Sequence, residues 1–274
     1  MKTARFLVLT LWLARSCGLV ATERGQVLRV GVAAGAAGER FGVEFQVAGG
    51  SWQREPLSSC LGTRFEEALP ARPFRFEKGR QSFAGWWYFA TTGTHIGFES
   101  WLERDHLMLM DFDPEVRAAA SQPFWLRWRD EDGADRRHAP DFFARRHDGS
   151  AVVVDVRPDD RIPDRDVRTF AATAEACEAA GWDYRRSGNL DPVMVANVRW
   201  LSRYRHRRCL VPEVAAILLE AFAGGRDLAE GAGMAGDRLR VLPVLFHLMW
   251  QRQLAADLTV PLGMSAVVHA GGTS

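Results

Sequence analysis

Two stretches near the middle of the chain alternate strictly between faces. In His138 to Arg145 (HAPDFFAR), Asp141, Phe143 and Arg145 project to one side, and in Ala151 to Arg157 (AVVVDVR), Val153, Asp155 and Arg157 share a side. Asp148-Gly149 between them is a turn signal. A hairpin centred near Asp148 sets Asp141 directly across from Asp155. Like charges opposite each other in a sheet are destabilising, and close carboxylates raise one another's pKa. A sheet that pairs them needs a reason, and the common one is a hard divalent cation, which takes carboxylate oxygens readily.

The same reading extends along the chain. Short apolar stretches at Val27 to Val32 and Phe41 to Val47, broken by GAAG and AGGS, predict strands and turns of a small N-terminal substructure. Phe83 to Phe89 (FAGWWYF) predicts a strand, and His95 with Gly93 and Gly97 a turn. Gly97 to Phe112 predicts a helix whose apolar rows hold Trp101, Met108 and Phe112, then Leu102 and Leu109, and Pro114 stops it. Glu99, Glu103, His106 and Met110 fall on one stripe of that helix. Ser121 to Trp128 (SQPFWLRW) reads as a strand, Phe170 to Ala180 as a helix ending at Gly181, and Trp182 to Arg186 as a strand. From Gly97 to Ser187 the predicted order is helix, three strands, helix, strand. Beyond Pro212 the spacing predicts helices over 213–223, 226–233 and 239–254, then strands at Leu258 to Leu262 and Ala266 to His269. Three helices and a terminal hairpin describe a winged-helix module.

Composition narrows the class. With 274 residues, 47% hydrophobic and 25% charged, the chain can bury a sizeable core, which excludes disordered and fibrous proteins. The net charge is +1, yet among 35 basic residues only Lys2 and Lys78 are lysine. An arginine can therefore stand where chemistry would accept lysine, through coding bias alone. Arg199, Arg203, Arg205, Arg207 and Arg208 crowd one acid-free run (RWLSRYRHRR), interleaved with Trp200, Tyr204 and His206. That suits phosphate contacts, with a solvated linker helix as the plainer alternative. Trp86, Trp87, Trp125, Trp128 and Trp182 are read as core rather than as base-stacking platforms. His138, His147 and His206 are read as surface or supporting residues, not metal ligands, and Asp105, Asp111 and Asp113 as structural. Cys17, Cys60, Cys177 and Cys209 lie far apart without a CxxC, which predicts reduced thiols and a cytoplasmic protein. Residues 1–20 carry a basic start and an apolar run from Phe6 to Ala14, but Arg15 and Cys17 fit a secretory signal poorly. A buried first strand or a mis-set start is the preferred reading, with export as the alternative.

Pro140-Asp141 followed by Asp155-Val156-Arg157 resembles the PD-(D/E)XK nuclease motif, with arginine in the lysine position. In this order, GFESWLERDHLMLMDFDPEV, SQPFWLRW, HAPDFFARRHDG and VVVDVRP resemble TnsA-like endonuclease subunits of heteromeric transposases. The resemblance runs from about Gly85 through Arg208 and more loosely to the end. It implies an α/β fold: a restriction-endonuclease-like mixed-sheet core at 61–198, preceded by an arm at 1–60 and followed by a small winged-helix domain at 199–274. Carried over by position, the helix glutamate falls on Glu103, the metal aspartate on Asp141, the second acidic position on Asp155, the carbonyl ligand on Val156 and the lysine on Arg157. Glu99, one turn earlier, competes with Glu103. The resemblance implies Mg²⁺, with Mn²⁺ as substitute, holding Glu103, Asp141, Asp155 and the Val156 carbonyl. It further implies hydrolysis at transposon 5′ ends, DNA as substrate, and a DDE-type transposase and an ATPase regulator as partners, with no membrane. A guanidinium stays protonated, so Arg157 can supply charge but cannot act as a general base. Two alternatives stay open: a DNA-binding adaptor with a degenerate site, and a stand-alone restriction or repair nuclease. The near-neutral charge favours recruitment by partners over tight DNA binding alone.

Overall fold

A computed structural model describes residues 40–74, 83–160 and 162–271. The apolar runs at Phe6 to Ala14 and Val27 to Val32, and Cys17, lie outside the described residues. The chain divides into two units. The first runs through Tyr88 and takes in His95–His106 and Glu115–Asn189; the second takes in Phe89–Thr94, Leu107–Pro114 and the chain from Leu190 on.

In the first unit, β1 (Gly42–Val47) pairs antiparallel with β2 (Gln53–Pro56) and β3 (Ala68–Leu69). A hairpin follows, β4 (Gly85–Phe89) and β5 (Thr94–Phe98), and then helix α1 (Trp101–Phe112), of which Phe89, Thr94 and Leu107–Phe112 are assigned to the second unit. The next strands are β6 (Val116–Ser121), β7 (Trp125–Arg129), β8 (Asp135–His138), β9 (Phe142–Arg146) and β10 (Ala151–Val156). Helix α2 (Asp164–Ala180) and β11 (Asp183–Ser187) complete the unit. One sheet has the order β2-β1-β7-β8, the other β11-β10-β9-β6. Only a crossover can join parallel neighbours, and α2 is that crossover between β10 and β11. Phe41, Val43 and Phe45 from around β1, Leu126 and Trp128 of β7, Phe143 and Val153, and Ala172, Ala176 and Cys177 of α2 share one core. Phe65 is its hub, with its ring centroid 5.0 Å from Phe45, 4.8 Å from Phe124 and 5.6 Å from Trp182. Residues 41–60, expected to belong to an N-terminal arm, contribute Phe41, Val43, Phe45, Leu57 and Cys60 to this core.

Several elements differ from the pattern reading for local reasons. His95 and Gly97 lie within β5, so α1 begins only at Trp101. The turn falls at residues 90–93, where Gly93 takes a φ of +73°. Asp111 accepts the Ala90 and Thr91 backbone N–H groups, each at 3.0 Å, and is structural as expected. The Ala-rich run over 116–120, on which the pattern is silent, is a strand, since pairing with β9 overrides its helical propensity. The expected strand over 121–128 is broken at Gln122-Pro123, where Gln122 adopts a left-handed φ of +49°. Likewise His138 to Arg145 is two strands, β8 and β9, parted at Pro140, which has no N–H to continue a ladder. Five strands, not three, therefore lie between α1 and α2. Helix α2 begins at Asp164 rather than Phe170, with Asp164 and Asp166 favourably placed in its first turn.

The second unit holds α3 (Pro192–Leu201), α4 (Pro212–Ala221), β12 (Arg226–Asp227), α5 (Leu228–Met234), α6 (Arg238–Trp250), β13 (Leu254–Ala255) and β14 (Val267–Ala270). The strands form a small sheet, β12-β14-β13. Helix α6 stops at Trp250 because Arg252 takes a φ of +62° and Gln253 N–H bonds back to the Leu248 carbonyl. Leu258 to Leu262 is not a strand. Asp257 accepts from Thr259 N–H and Oγ1, Pro261 lacks a donor, and Asn197 bonds the Leu258 and Val260 carbonyls and Leu262 N–H instead.

Candidate active site

The β9–β10 hairpin has the expected register, with Phe143 opposite Val153 and Phe142 opposite Val154. The ladder stops there, and Asp141 and Asp155 flank its open end. Asp155 is 1% exposed, on a strand buried along its whole length. Its two carboxylate oxygens are held separately: His138 Nε2 meets Oδ1 at 2.8 Å, and the Tyr184 hydroxyl donates to Oδ2 at 2.8 Å. Asp141 Oδ2 accepts the Val156 backbone N–H at 2.7 Å. The Asp141 backbone carbonyl accepts Gln122 N–H at 2.9 Å, so the left-handed turn at Gln122 ties Asp141 to the β6–β7 connection.

Glu103 lies in the first turn of α1. Its oxygens accept Glu99 N–H at 2.7 Å and Ser100 Oγ at 2.9 Å, while Ser100 Oγ accepts Glu103 N–H at 3.1 Å. This is a capping-box exchange, and it aims Glu103 back along the helix. Glu99 pairs with Arg72 through both guanidinium nitrogens, at 2.9 and 2.5 Å. The competing helix carboxylate is thus neutralised by a partner, whereas Glu103 faces other acids.

The electrostatics show that clustering. Burial pushes the Asp141 carboxyl well above the usual aspartate range, and the nearby Glu103 and Asp155 charges add to it, against the Val156 N–H and Arg157. Burial also raises Glu103, opposed by its hydrogen bonds from Glu99 N–H and Ser100. The Tyr184 phenol is driven up by burial and by the Asp155 charge, so it stays a donor. Arg157 is half exposed, its Nη2 3.5 Å from Asp166 Oδ2 on α2.

A cavity of about 190 Å³ opens here, lined among others by Arg72, Arg137, His138, Asp141, Asp155 and Arg157. The structure thus brings Asp141, Asp155, Val156 and Arg157 to one cavity, and Glu103 within electrostatic reach of Asp141. Among the described residues no group of three or more His, Cys, Asp and Glu side chains stands as a ready metal cage. The oxygens of Asp155 and Glu103 are turned to hydrogen-bond donors instead. Arg199, Arg203, Arg205, Arg207 and Arg208 all belong to the second unit. Arg199 and Trp200 lie in α3, Arg203 lies over the Trp200 ring at 5.0 Å from a 3₁₀ turn, Arg205 donates to the Ser202 carbonyl, and Arg207 and Arg208 lie in a second 3₁₀ turn.

Sequence reading passed over Tyr184, Arg72 and Arg137. His138, read as a surface or supporting residue, meets Asp155. Tyr184 reaches Asp155 only because β11 runs parallel beside β10, which a crossover decides.

Residues 113–186 match the family described as TnsA-like endonuclease N terminal. Over this stretch the chain resembles a TnsA-like endonuclease, a nuclease related to transposase subunits. The match contains Asp141, Asp155, Val156 and Arg157, while Glu103 precedes it. No curated protein matches the chain. No helix among the described residues is long and apolar enough to cross a membrane.

Proposed function

We propose that the first unit is a metal-dependent DNA endonuclease, and that the chain serves a heteromeric transposase by hydrolysing phosphodiester bonds at transposon 5′ ends. The observation that carries this reading is the meeting of Asp141 and Asp155 beside Val156 and Arg157, in a span matching a nuclease family. Gathered acids fit a hard divalent ion, and the Asp141 carboxyl is raised first by burial and then by the Glu103 and Asp155 charges, which outweigh Arg157. Asp141 Oδ1 accepts no hydrogen bond among the described residues. Continuing the hairpin register two residues sets Pro140 across from Val156, and proline has no N–H to give. The Val156 carbonyl is thereby left available on the same edge. Asp141, Asp155, Glu103 and this carbonyl would hold Mg²⁺ or Mn²⁺.

Such an ion, when bound, makes a water nucleophilic near neutral pH and offsets charge on the leaving oxygen. The chain's own residues do the rest. Tyr184 and His138 fix the plane of Asp155, as supporting partners of a ligand do. Glu103 completes the acidic side or aligns the attacking water. Arg157 offers charge to the crowded phosphate and takes no proton.

The second unit fits DNA or partner contact. Its order α4, β12, α5, α6, β13, β14 is that of a winged helix, and the arginine run precedes it. A DDE-type transposase and an ATPase regulator are the partners this role needs, in a cytoplasmic protein whose Cys60, Cys177 and Cys209 are free thiols. The arginine at position 157 favours one second reading, an adaptor that binds DNA without cutting it.

The test incubates the chain, its transposase partner and transposon-end DNA with Mg²⁺ or Mn²⁺, comparing wild type with Asp141→Ala and Arg157→Lys. Nicking at 5′ ends that Asp141→Ala abolishes is the expected result. Nicking by Arg157→Lys but not by wild type would establish the adaptor.

A further inference from the structure

The solvent face of the β2-β1-β7-β8 sheet carries a line of arginines. Directly opposed residues share a face, so Arg127 and Arg137, paired across β7 and β8, point the same way. Two cations set opposite each other cost stability unless each has a counter-charge. Arg127 has one, with Nη1 2.7 Å from Glu44 Oε2, and Arg129 has one in Asp135 at 3.4 Å. For Arg137 no carboxylate partner occurs among the described residues. Its guanidinium lies instead on the Trp125 ring, with Cζ 4.4 Å from the centroid. That ring is itself fixed, since the Trp125 indole N–H donates to the Ala71 carbonyl at 3.0 Å and Ala71 N–H to the Gln122 carbonyl at 2.7 Å.

Arg137 also lines two openings: the 190 Å³ cavity of Asp141 and Asp155, and a neighbouring groove of about 600 Å³. The other arginines at that cavity are engaged, Arg72 by Glu99 and Arg157 by Asp166. A guanidinium stacked on an indole keeps its in-plane N–H edges free for a planar pair of anionic oxygens.

We propose that Arg137, carried on Trp125, grips a backbone phosphate of DNA next to the one that reacts, and so positions the strand across the cavity. This rests on the nuclease reading of the site, but its test does not use cleavage. A contact to phosphate is blind to sequence and releases counterions, so it sets both the affinity for any duplex and its salt dependence.

The full-length chain is titrated into two fluorescent duplexes of unrelated sequence, in EDTA, over a series of salt concentrations. Wild type should bind both. Arg137→Thr should weaken both by about tenfold and flatten the plot of log affinity against log salt by about 0.9, the share of one phosphate. Arg137→Lys should restore the slope. The melting temperature of Arg137→Thr should hold or rise, because the Arg127–Arg137 opposition is relieved. An unchanged slope, no binding by wild type, or loss of binding together with a lowered melting temperature would overturn the proposal. Binding that depends on Arg137 in a protein that cuts no DNA with any metal would instead overturn the nuclease reading, and with it the placement beside a reacting phosphate, leaving Arg137 as a phosphate contact alone.

Discussion

A lone buried acid and a cluster of acids in the first unit are compensated in opposite ways. At Glu66, whose side chain is 2% exposed, three arginines converge on one carboxylate: Arg117 at 3.2 Å, Arg145 at 3.3 Å and Arg64 at 3.9 Å. At the candidate site the ratio is reversed. Asp141, Asp155 and Glu103 lie near one another, and among the described residues their hydrogen-bond partners are neutral donors and one histidine, while Arg72 and Arg157 are bonded to other acids. A buried charge needs compensation, so a carboxylate that arginines balance is structural, whereas acids that face acids are what the proposed metal-dependent reading calls on a cation to balance. The fold carries both solutions on the same sheet, since Arg145 of β9 serves Glu66 a few residues beyond Asp141.

The comparison can be broken most sharply by neutralising each acid. Asp141→Asn should reduce cleavage by about 100- to 1,000-fold, the several kcal/mol that metal-borne charge supplies, without lowering the melting temperature. A rate near wild type, measured on DNA nicks, would remove Asp141 from the site. Glu66→Ala should do the reverse. It strands the arginines and costs about 3 kcal/mol in urea unfolding, at the low end for buried pairs because Arg64 and Arg117 are half exposed or more, while activity per folded molecule holds.

Acidity should separate the two regions as well. The Asp141 and Glu103 carboxyls keep their protons in the fold to higher pH than in the unfolded chain. Between the ordinary carboxylate values near pH 4 and those raised values the folded state binds more protons, so metal-free stability falls as pH climbs through that window. Mg²⁺ should recover it above the window, by about 2.7 kcal/mol at a hundredfold excess over its dissociation constant. Thermal melts at pH 5 and pH 8, with and without Mg²⁺, check this, and a metal effect equal at both would contradict it. The smallest effect falls on the supporting groups. Tyr184→Phe removes one of the two holds on Asp155 and should weaken metal binding about tenfold, read by calorimetry, with the fold intact.

Much of the site was legible in the sequence. Alternation and the Asp148-Gly149 turn gave the hairpin and its register, because side chains in a strand repeat every two residues and a tight turn fixes which pairs meet. The resemblance to the nuclease motif singled out Asp141, Asp155, Val156 and Arg157, which line one cavity. Boundaries were less legible wherever a neighbour overruled local preference: the alanines of β6 extend because β9 lies beside them, and α6 ends early at a backbone turn on Arg252, an ordinary residue in a glycine's conformation.

By itself, then, the sequence determined the acidic pair and its hairpin, since both follow from short-range periodicity. Only the tertiary structure decided what surrounds that pair. The parallel placement of β11 brings Tyr184 to Asp155, the turn at Gln122 anchors Asp141, and the pairing of β7 with β8 leaves Arg137 on an indole instead of an acid. Those partners come from strands distant in sequence, and no spacing along a chain encodes which distant strands will lie side by side.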